Sequence, residues 1–230
     1  MHTKALVIAA AGSGSRMRKK VPKPYLKLGD YTILERTLRA FLSLSGMAQV
    51  VVATSKDRMD EARGILSAIL PEDINGLVVA GGRDRQHSIR QALQHVAEID
   101  LVLVQDAVRP FVDAQDIKAC CSAAANMGAA VLGVPVKDTI KQVDDRRQIC
   151  ETPDRNMLWK AQTPQVFRKS LLLKAYDYAQ KEELTVTDDA SIVEAMGQPV
   201  KIVEGGRENI KITYPLDLEL ARIILNKIEQ

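Results

Sequence analysis

Apolar runs of strand length alternate with longer segments of helical period along most of this chain. KALVIAA (4–10), QVVVAT (49–54) and DLVLVQ (100–105) are such runs, and amphipathic helical patterns separate them. Continuous Val, Ile and Leu runs, without the polar alternation of a half-exposed strand, are typical of parallel strands buried on both faces. The sequence therefore predicts a doubly wound, Rossmann-like α/β fold with a mostly parallel sheet.

The same pattern predicts the remaining elements and one projection. Further strands are expected at 76–82, 129–136, 200–206 and 209–213, and helices at 33–44, 57–70, 88–97, 113–128, 187–197 and 215–229. Residues 137–155 are polar, with an Asp-Asp turn between two short alternating stretches, which predicts a β-hairpin arm. At 230 residues, we expect one domain spanning 1–230 and including this arm.

Composition excludes several classes of partner. The net charge is only +3 and aromatic residues are 4% of the chain, whereas nucleic-acid binders usually have a denser basic face with interleaved aromatics. The first residues lack signal-peptide anatomy and no apolar run reaches the roughly 18 residues of a membrane helix, so we expect a soluble, cytoplasmic protein. Cys120, Cys121 and Cys150 lack zinc-site spacing, and we expect free thiols in a reducing compartment.

The first strand leads into a glycine-rich, basic loop, AAAGSGSRMRKKVPKPYL (9–26). A dinucleotide loop would need a third glycine where Met17 stands, and a Walker A loop would need G-K-[ST], which is absent. The remaining alternative is an anion-binding loop whose N–H groups and cations bind a triphosphate. Its basic residues suit that role; they are Arg16, Arg18, Lys19, Lys20 and Lys23. Exposure to solvent explains Arg18, Lys19 and Lys20 equally well.

In an open α/β sheet, ligands bind beyond the carboxyl ends of the strands. This rule directs attention to residues 11–23, 81–88 and 106–110. Several motifs follow these positions in order: GGRDRQHS (81–88), VQDAVRP (104–110), VPVKDTIK (134–141), DRNMLWKAQTPQVF (154–167), TDDAS (187–191) and NIKIT (209–213).

Together with AAAGSGSRM and PKPYLKLG, these motifs resemble those of sugar-phosphate nucleotidylyltransferases, and in particular the methylerythritol phosphate cytidylyltransferases of isoprenoid biosynthesis. The resemblance covers nearly the whole chain. It implies transfer of CMP from CTP to 2-C-methyl-D-erythritol 4-phosphate, with pyrophosphate released. Two positions depart from the pattern, which often has Pro at Ala9 and Gln at Pro24.

The resemblance also implies roles for particular residues. Arg16, Lys23 and Lys211 would be the catalytic cations. The nucleotide would be bound by Ala10, Ala11, Gly12, Gly14, Gly81, Gly82, Ser88 and Asp106, with Ser88 beside the cytosine. The acceptor would be bound by Arg109, which holds its phosphate, and by Thr139, Arg155, Thr187 and Thr213.

Alternatives remain for some of these residues and for the function. Thr187 is equally a candidate helix N-cap, and Arg83 and Arg85 are equally explained as solvated side chains. Ribitol 5-phosphate cytidylyltransferase is the nearest alternative activity, although it lacks the DRNMLW and TDDAS forms. A nucleotide sensor without turnover would have lost catalytic positions, yet Arg16, Lys23 and Lys211 are all present.

The chemistry implied by the family accounts for the residue types. A phosphate monoester is already a nucleophile, so the barrier is the approach of one anion to another, and catalysis depends on positioning and on cations. We expect Mg²⁺, held mainly by the CTP phosphates, with Asp106 as a candidate ligand. An isolated two-stranded hairpin is marginally stable in water, so we expect the arm 137–155 to pack against its counterpart in a homodimer.

Overall fold

The computed structural model describes residues 2–12 and 21–229. The helices are α1 (Ile33–Leu42), α2 (Met59–Ile69), α3 (Arg85–Leu93), α4 (Ala114–Met127), α5 (Lys169–Lys181), α6 (Asp189–Ala195) and α7 (Pro215–Ile228). The strands are β1 (Lys4–Ala9), β2 (Lys27–Leu28), β3 (Tyr31–Thr32), β4 (Met47–Thr54), β5 (Asn75–Ala80), β6 (Leu101–Asp106), β7 (Ala129–Pro135), β8 (Gln142–Val143), β9 (Ile149–Glu151), β10 (Trp159–Arg168) and β11 (Lys201–Glu204).

Among the described residues, seven strands form the central sheet in the order β11-β7-β10-β6-β1-β4-β5. Neighbours pair in parallel except at β10, which runs antiparallel to both β6 and β7. Alternate residues of β1 enter opposite cores. Leu6 and Ile8 pack with α1, α2 and α4, whereas Ala5 and Val7 pack with α3, α5 and α6. Burial of both faces explains the continuous apolar runs and confirms the predicted doubly wound sheet.

Strand β10, which the sequence did not predict, lies in the middle of the sheet. Its Pro164 cannot donate a ladder hydrogen bond, and a proline inside a run normally argues against a central strand. The pairing of β10 with β7 shifts register between Ala161 and Gln165, so the proline falls at an irregularity. The helix that follows, α5, was also not predicted.

The prediction of a strand at 209–213 is wrong. These residues have no sheet partner in the described structure and follow an irregular path. Asn209 donates its side-chain amide to the carbonyl of Thr163, at 2.9 Å, and the Ile212 amide donates to the Val108 carbonyl, at 2.9 Å. Ile212 is buried with Leu218, Ala221 and Leu225 of α7. Its apolar character therefore reflects packing against a helix and not membership of a sheet.

The arm at 137–155 contains the predicted hairpin. Strands β8 and β9 pair antiparallel, and the Asp144 carboxylate closes the turn by accepting from the amides of Arg146, at 2.9 Å, and Gln148, at 2.8 Å. All residues from 137 to 152 are exposed within this chain. The hairpin therefore projects from the sheet.

Candidate active site

The carboxyl ends of β1, β5 and β6 meet at one edge of the sheet and enclose a cavity of about 470 Å³. Most of the predicted nucleotide and catalytic residues that the structure describes line it. They are Ala10, Ala11, Gly12, Lys23, Gly82, Ser88, Asp106 and Lys211. Gly14 and Arg16 lie outside the described residues. The topological rule for open α/β sheets thus brings together residues that are up to 201 positions apart.

Two loops, after β1 and after β5, are both hydrogen-bonded to β4 and touch each other beside this cavity. The amide of Ala10 donates to the Ala53 carbonyl, at 2.8 Å, and that of Gly81 to the Thr54 carbonyl, at 2.6 Å. A Cβ atom on Gly81 would lie 2.3 Å from the Cβ of Ala11, closer than side chains approach one another. Glycine at position 81 is therefore required by the contact between the loops.

Ser88 holds the loop that follows β5 through two hydrogen bonds of its hydroxyl. Its hydroxyl accepts from the Gly82 amide, at 3.0 Å, and donates to the Asp84 carbonyl, at 2.7 Å. The Asp84 carboxylate caps α3 by accepting from the His87 amide, at 2.8 Å. Ser88 is only 1% exposed, so its hydroxyl holds the loop that lines the cavity.

Lys23 belongs to a 3₁₀ turn, Lys23–Tyr25, that carries it into the cavity. The turn is anchored by Tyr25, whose hydroxyl lies 2.6 Å from that of Thr54 at the end of β4. Lys23 is 8% exposed, an unusual burial for lysine. The ammonium group is thus held at the site and does not extend freely into solvent.

Asp106, at the end of β6, is surrounded by three cations. One carboxylate oxygen accepts from Nε of Arg85, at 3.2 Å, and the other from Nε of Arg109, at 3.3 Å, and Nζ of Lys211, at 2.9 Å. Burial alone would raise the pKa of Asp106, but Arg85, Lys211 and Arg109 together hold that pKa well below its usual range. The site thus contains a buried carboxylate whose charged form is stabilised by three surrounding cations.

A second cavity, of about 550 Å³, adjoins the first across Lys211, which lines both. Arg109 contributes to the second cavity, as do three further cations that the sequence did not single out: Lys137, Lys160 and Arg207. A cavity with this lining is suited to an anionic ligand.

Four of the residues predicted to bind the acceptor are absent from the lining of both cavities. Thr139, Arg155 and Thr187 are exposed and lie outside the lining of both described cavities. Arg155 donates to the Lys137 carbonyl, at 3.1 Å, at the base of the arm. Thr213 is largely buried, and its hydroxyl donates to the Lys211 carbonyl, at 3.2 Å. The N-cap of α6 is Asp188, so the interpretation of Thr187 as the cap is wrong.

Arg85 is a further site residue that the sequence did not single out. Arg83 is exposed, as a solvated side chain would be, but Arg85 lies between two carboxylates, those of Asp106 and Asp189. Its only local signal was its position at the first turn of a helix that follows a glycine loop. Since Asp189 is 104 positions away, the pairing is visible only in the folded chain.

None of the helices in the described part of the chain is both long enough and apolar enough to cross a bilayer.

Cys120 and Cys121 are buried on α4, and burial raises the pKa of the Cys121 thiol to about 11. Cys150 is an exposed thiol in the arm.

The doubly wound sheet with its nucleotide-sized cavity at the carboxyl edge has the architecture of an α/β nucleotidylyltransferase. A solved structure entitled 4-diphosphocytidyl-2C-methyl-D-erythritolsynthase, from Anaerococcus prevotii, superposes with a TM-score of 0.87 at 30% identity, over 98% of this chain and 96% of the other. Another, a 2-C-methyl-D-erythritol 4-phosphate cytidylyltransferase from Thermus thermophilus, has a TM-score of 0.78 at 34% identity, over 98% of this chain and 100% of the other.

Residues 4–227 match the profile of IspD, 2-C-methyl-D-erythritol 4-phosphate cytidylyltransferase, and the chain belongs to this family. A relative of that name from Desulforamulus reducens is 42% identical over 96% of this chain and 95% of its own length. A bifunctional IspD/IspF enzyme from Desulfotalea psychrophila is 41% identical over 99% of this chain, which spans only 58% of that protein. The comparisons lend no support to the ribitol 5-phosphate alternative.

Proposed function

We propose that this chain transfers CMP from CTP to 2-C-methyl-D-erythritol 4-phosphate in isoprenoid biosynthesis. An oxygen of the acceptor phosphate attacks the α-phosphorus, the bond from that phosphorus to the oxygen bridging to the β-phosphorus breaks, and pyrophosphate leaves. The observation that carries this proposal is the pair of cavities that share Lys211. One is formed by the nucleotide loops and the other is lined by cations, so two anionic ligands would meet at one ammonium group.

On the nucleotide side, the loops supply mainly backbone. Residues 10–12, with Gly14, would face the triphosphate, because amides at the start of a glycine loop bind anions. Gly81, Gly82 and the loop held by Ser88 would face the cytosine. Asp106 would face the ribose, since its carboxylate lies at the cavity wall.

Catalysis would come from fixed positive charge. Lys23 and Lys211 line the nucleotide cavity, and Arg16 belongs to the same loop region in sequence. Cations already in place stabilise the charge that develops on the transferring phosphoryl group, without reorganisation at the moment of reaction. No side chain has to remove a proton from the nucleophile, since the acceptor phosphate is already ionised.

The donor groups at the cavity fit Mg²⁺ bound chiefly through substrate. The described residues contain no group of three or more His, Cys, Asp or Glu side chains that could hold a metal alone. Two carboxylates line the cavity; Asp84 caps α3, and Asp106 is the ionised one at the wall. One carboxylate plus phosphate oxygens is a usual Mg²⁺ environment. When bound, Mg²⁺ would neutralise charge on the phosphates.

The acceptor would occupy the second cavity, with its phosphate on Arg109. Thr213 lies next to Lys211 and would support that side of the site. Thr139, Arg155 and Thr187 would act in a homodimer formed through the arm. Supporting this, the arm exposes Val143 and Ile149 at 49% and 63%, apolar surface that a second subunit would cover.

The proposed activity is tested by pyrophosphate release from purified protein with CTP, methylerythritol phosphate and Mg²⁺. We expect turnover that requires all three and stops when EDTA is added. ATP, GTP and UTP in place of CTP, and ribitol 5-phosphate in place of the acceptor, are the controls. Faster turnover with ribitol 5-phosphate, or equal use of ATP and CTP, would contradict the proposal.

A further inference from the structure

A line of buried polar side chains leads from the nucleotide cavity into the layer of helices behind it. The hydroxyl of Tyr176, on α5, donates to one carboxylate oxygen of Asp189, at 2.5 Å. The other oxygen of Asp189 accepts from Nη1 of Arg85, at 2.6 Å. Nε of Arg85 then donates to Asp106, at 3.2 Å. Tyr176 and Asp189 are 3% and 1% exposed, and neither belongs to the lining of the nucleotide cavity.

The geometry indicates that Asp189 holds Arg85 more firmly than Asp106 does. The bond from Arg85 to Asp189 is shorter by 0.6 Å. Among the described residues, Arg85 is the cation paired with Asp189, whereas Asp106 is shared by Arg85, Arg109 and Lys211. Charge-assisted hydrogen bonds of short length in a buried setting are the strongest that side chains make. The guanidinium is therefore oriented chiefly from its Asp189 side.

The Asp189 carboxylate is not needed to build the end of its helix. The N-cap of α6 is Asp188, whose carboxylate accepts from the Ser191 amide, at 3.1 Å. The Asp189 amide donates to the side-chain oxygen of Gln165, at 3.0 Å. A buried charge with no part in capping its own helix is left with one partner toward the cavity, Arg85.

We propose that Asp189 and Tyr176 are positioning residues for the nucleotide site. They hold Arg85 so that it donates to one oxygen of Asp106 and leaves the other to Lys211 and Arg109. Without the Asp189 carboxylate, the guanidinium would turn toward Asp106 or the nucleotide, and the Asp106 carboxylate would lose its orientation. This inference rests on the proposed function, because it assumes that the cavity binds CTP.

The Asp189→Asn variant should change the affinity for CTP in the direction opposite to that expected from charge alone. Asp189→Asn removes one negative charge near the cavity, and charge alone would tighten binding of the anionic nucleotide. Loss of positioning instead weakens binding. We expect the Kd for CTP, measured by titration calorimetry, to rise about tenfold in Asp189→Asn, in line with loss of one charge-assisted hydrogen bond. Tyr176→Phe removes only the supporting hydroxyl and should raise the Kd by about twofold to threefold.

Two further variants separate positioning from folding. Asp188→Asn removes a charge at the adjoining residue, and because Asn is as good an N-cap as Asp, its Kd should stay within about twofold of wild type. In an Arg85→Gln background, Asp189→Asn should add no further loss, because the residue through which it acts is gone. Thermal unfolding of each variant shows whether it is folded, and Tyr176→Phe provides the test should Asp189→Asn not fold.

Wild-type protein that fails to bind CTP would overturn the proposed function and this inference with it. Wild-type binding combined with unchanged or tighter binding by Asp189→Asn would overturn the positioning role alone. The positioning role would also be overturned if Asp189→Asn weakened CTP binding by the same factor in the Arg85→Gln background as in wild type. Asp189 would then act independently of Arg85.

Discussion

At the scale of single residues, burial separates lysines that look alike in the sequence. Lys23 is held in the cavity by a turn that Tyr25 anchors, whereas Lys27, four positions later, is exposed and donates to the Asp30 carbonyl, at 2.8 Å. Only a fixed ammonium can stabilise a transition state without reorganising. The two residues therefore form a matched pair for testing which cations act in catalysis.

Lys23→Ala should lower kcat by about a hundredfold or more, about 3 kcal/mol, as expected for removal of one preorganised charge. The measurement is pyrophosphate release at saturating CTP and acceptor. Lys27→Ala is the control and should leave kcat within about twofold, because exposed charges contribute little. If the two variants lost equal activity, a catalytic role for Lys23 as distinct from other lysines would be refuted.

At the scale of elements, the site depends on two loops that follow separate strands and touch. The loop after β1 and the loop after β5 meet at Ala11 and Gly81, and both contain residues that line the cavity. Each loop is held on β4 by one backbone hydrogen bond, from the Ala10 amide to Ala53 and from the Gly81 amide to Thr54. Because both loops are fixed to the same strand, a side chain at position 81 would have no room beside Ala11.

Gly81→Ala should separate these loops and weaken CTP binding by about tenfold, an effect of about 1.4 kcal/mol. The added methyl would lie 2.3 Å from Ala11 and must displace backbone that lines the cavity. Titration calorimetry measures the change. Gly64→Ala is the control: its Cβ meets nothing within 4 Å, and it lies in an exposed part of helix α2. That substitution should leave the Kd unchanged and raise stability by about 0.5–1 kcal/mol; equal Kd values for both variants would contradict the loop-contact argument.

At the scale of the whole molecule, the proposed acceptor residues are divided between two places. Arg109 and Lys211 line the second cavity, whereas Arg155 is exposed at the base of the arm. A two-fold dimer formed through the arms would let Arg155 of each chain complete the site of the other.

Mixing two inactive variants tests this arrangement. In a heterodimer of Lys23→Ala with Arg155→Ala chains, one site receives both lesions and the other receives none. Random re-pairing makes about half of the dimers mixed, so about a quarter of wild-type activity should return. Subunit exchange is checked with differently tagged chains. If exchange occurs and no activity returns, Arg155 serves its own chain and the shared site is refuted.

Much of the fold and part of the site were determined by the sequence itself. The strands β1, β4, β6 and β7 were predictable because a strand buried on both faces needs a continuous apolar run, which is a local property. The edge strand β5 is only partly buried, but its apolar run also predicted it. The loop at 9–26 was predicted to bind an anion for a similar reason, since glycines and cations act there through their own backbone and charge. Lys23 and Asp106 were then expected at one sheet edge because the carboxyl ends of parallel strands meet there, whereas Lys211 was expected only from the family resemblance.

Other features were decided only by the tertiary structure. Strand β10 contains Pro164 and polar residues, and it is a strand because β6 and β7 on either side supply its pairing. The segment 209–213 alternates like a strand, but Ile212 packs on α7 and its amide donates to the Val108 carbonyl, so contacts with distant residues fix its path. Arg85 looked like a solvated side chain until Asp106 and Asp189, from two distant segments, enclosed it. Such pairings depend on contacts between residues far apart in sequence, and no local pattern encodes which distant carboxylate will neutralise a given guanidinium.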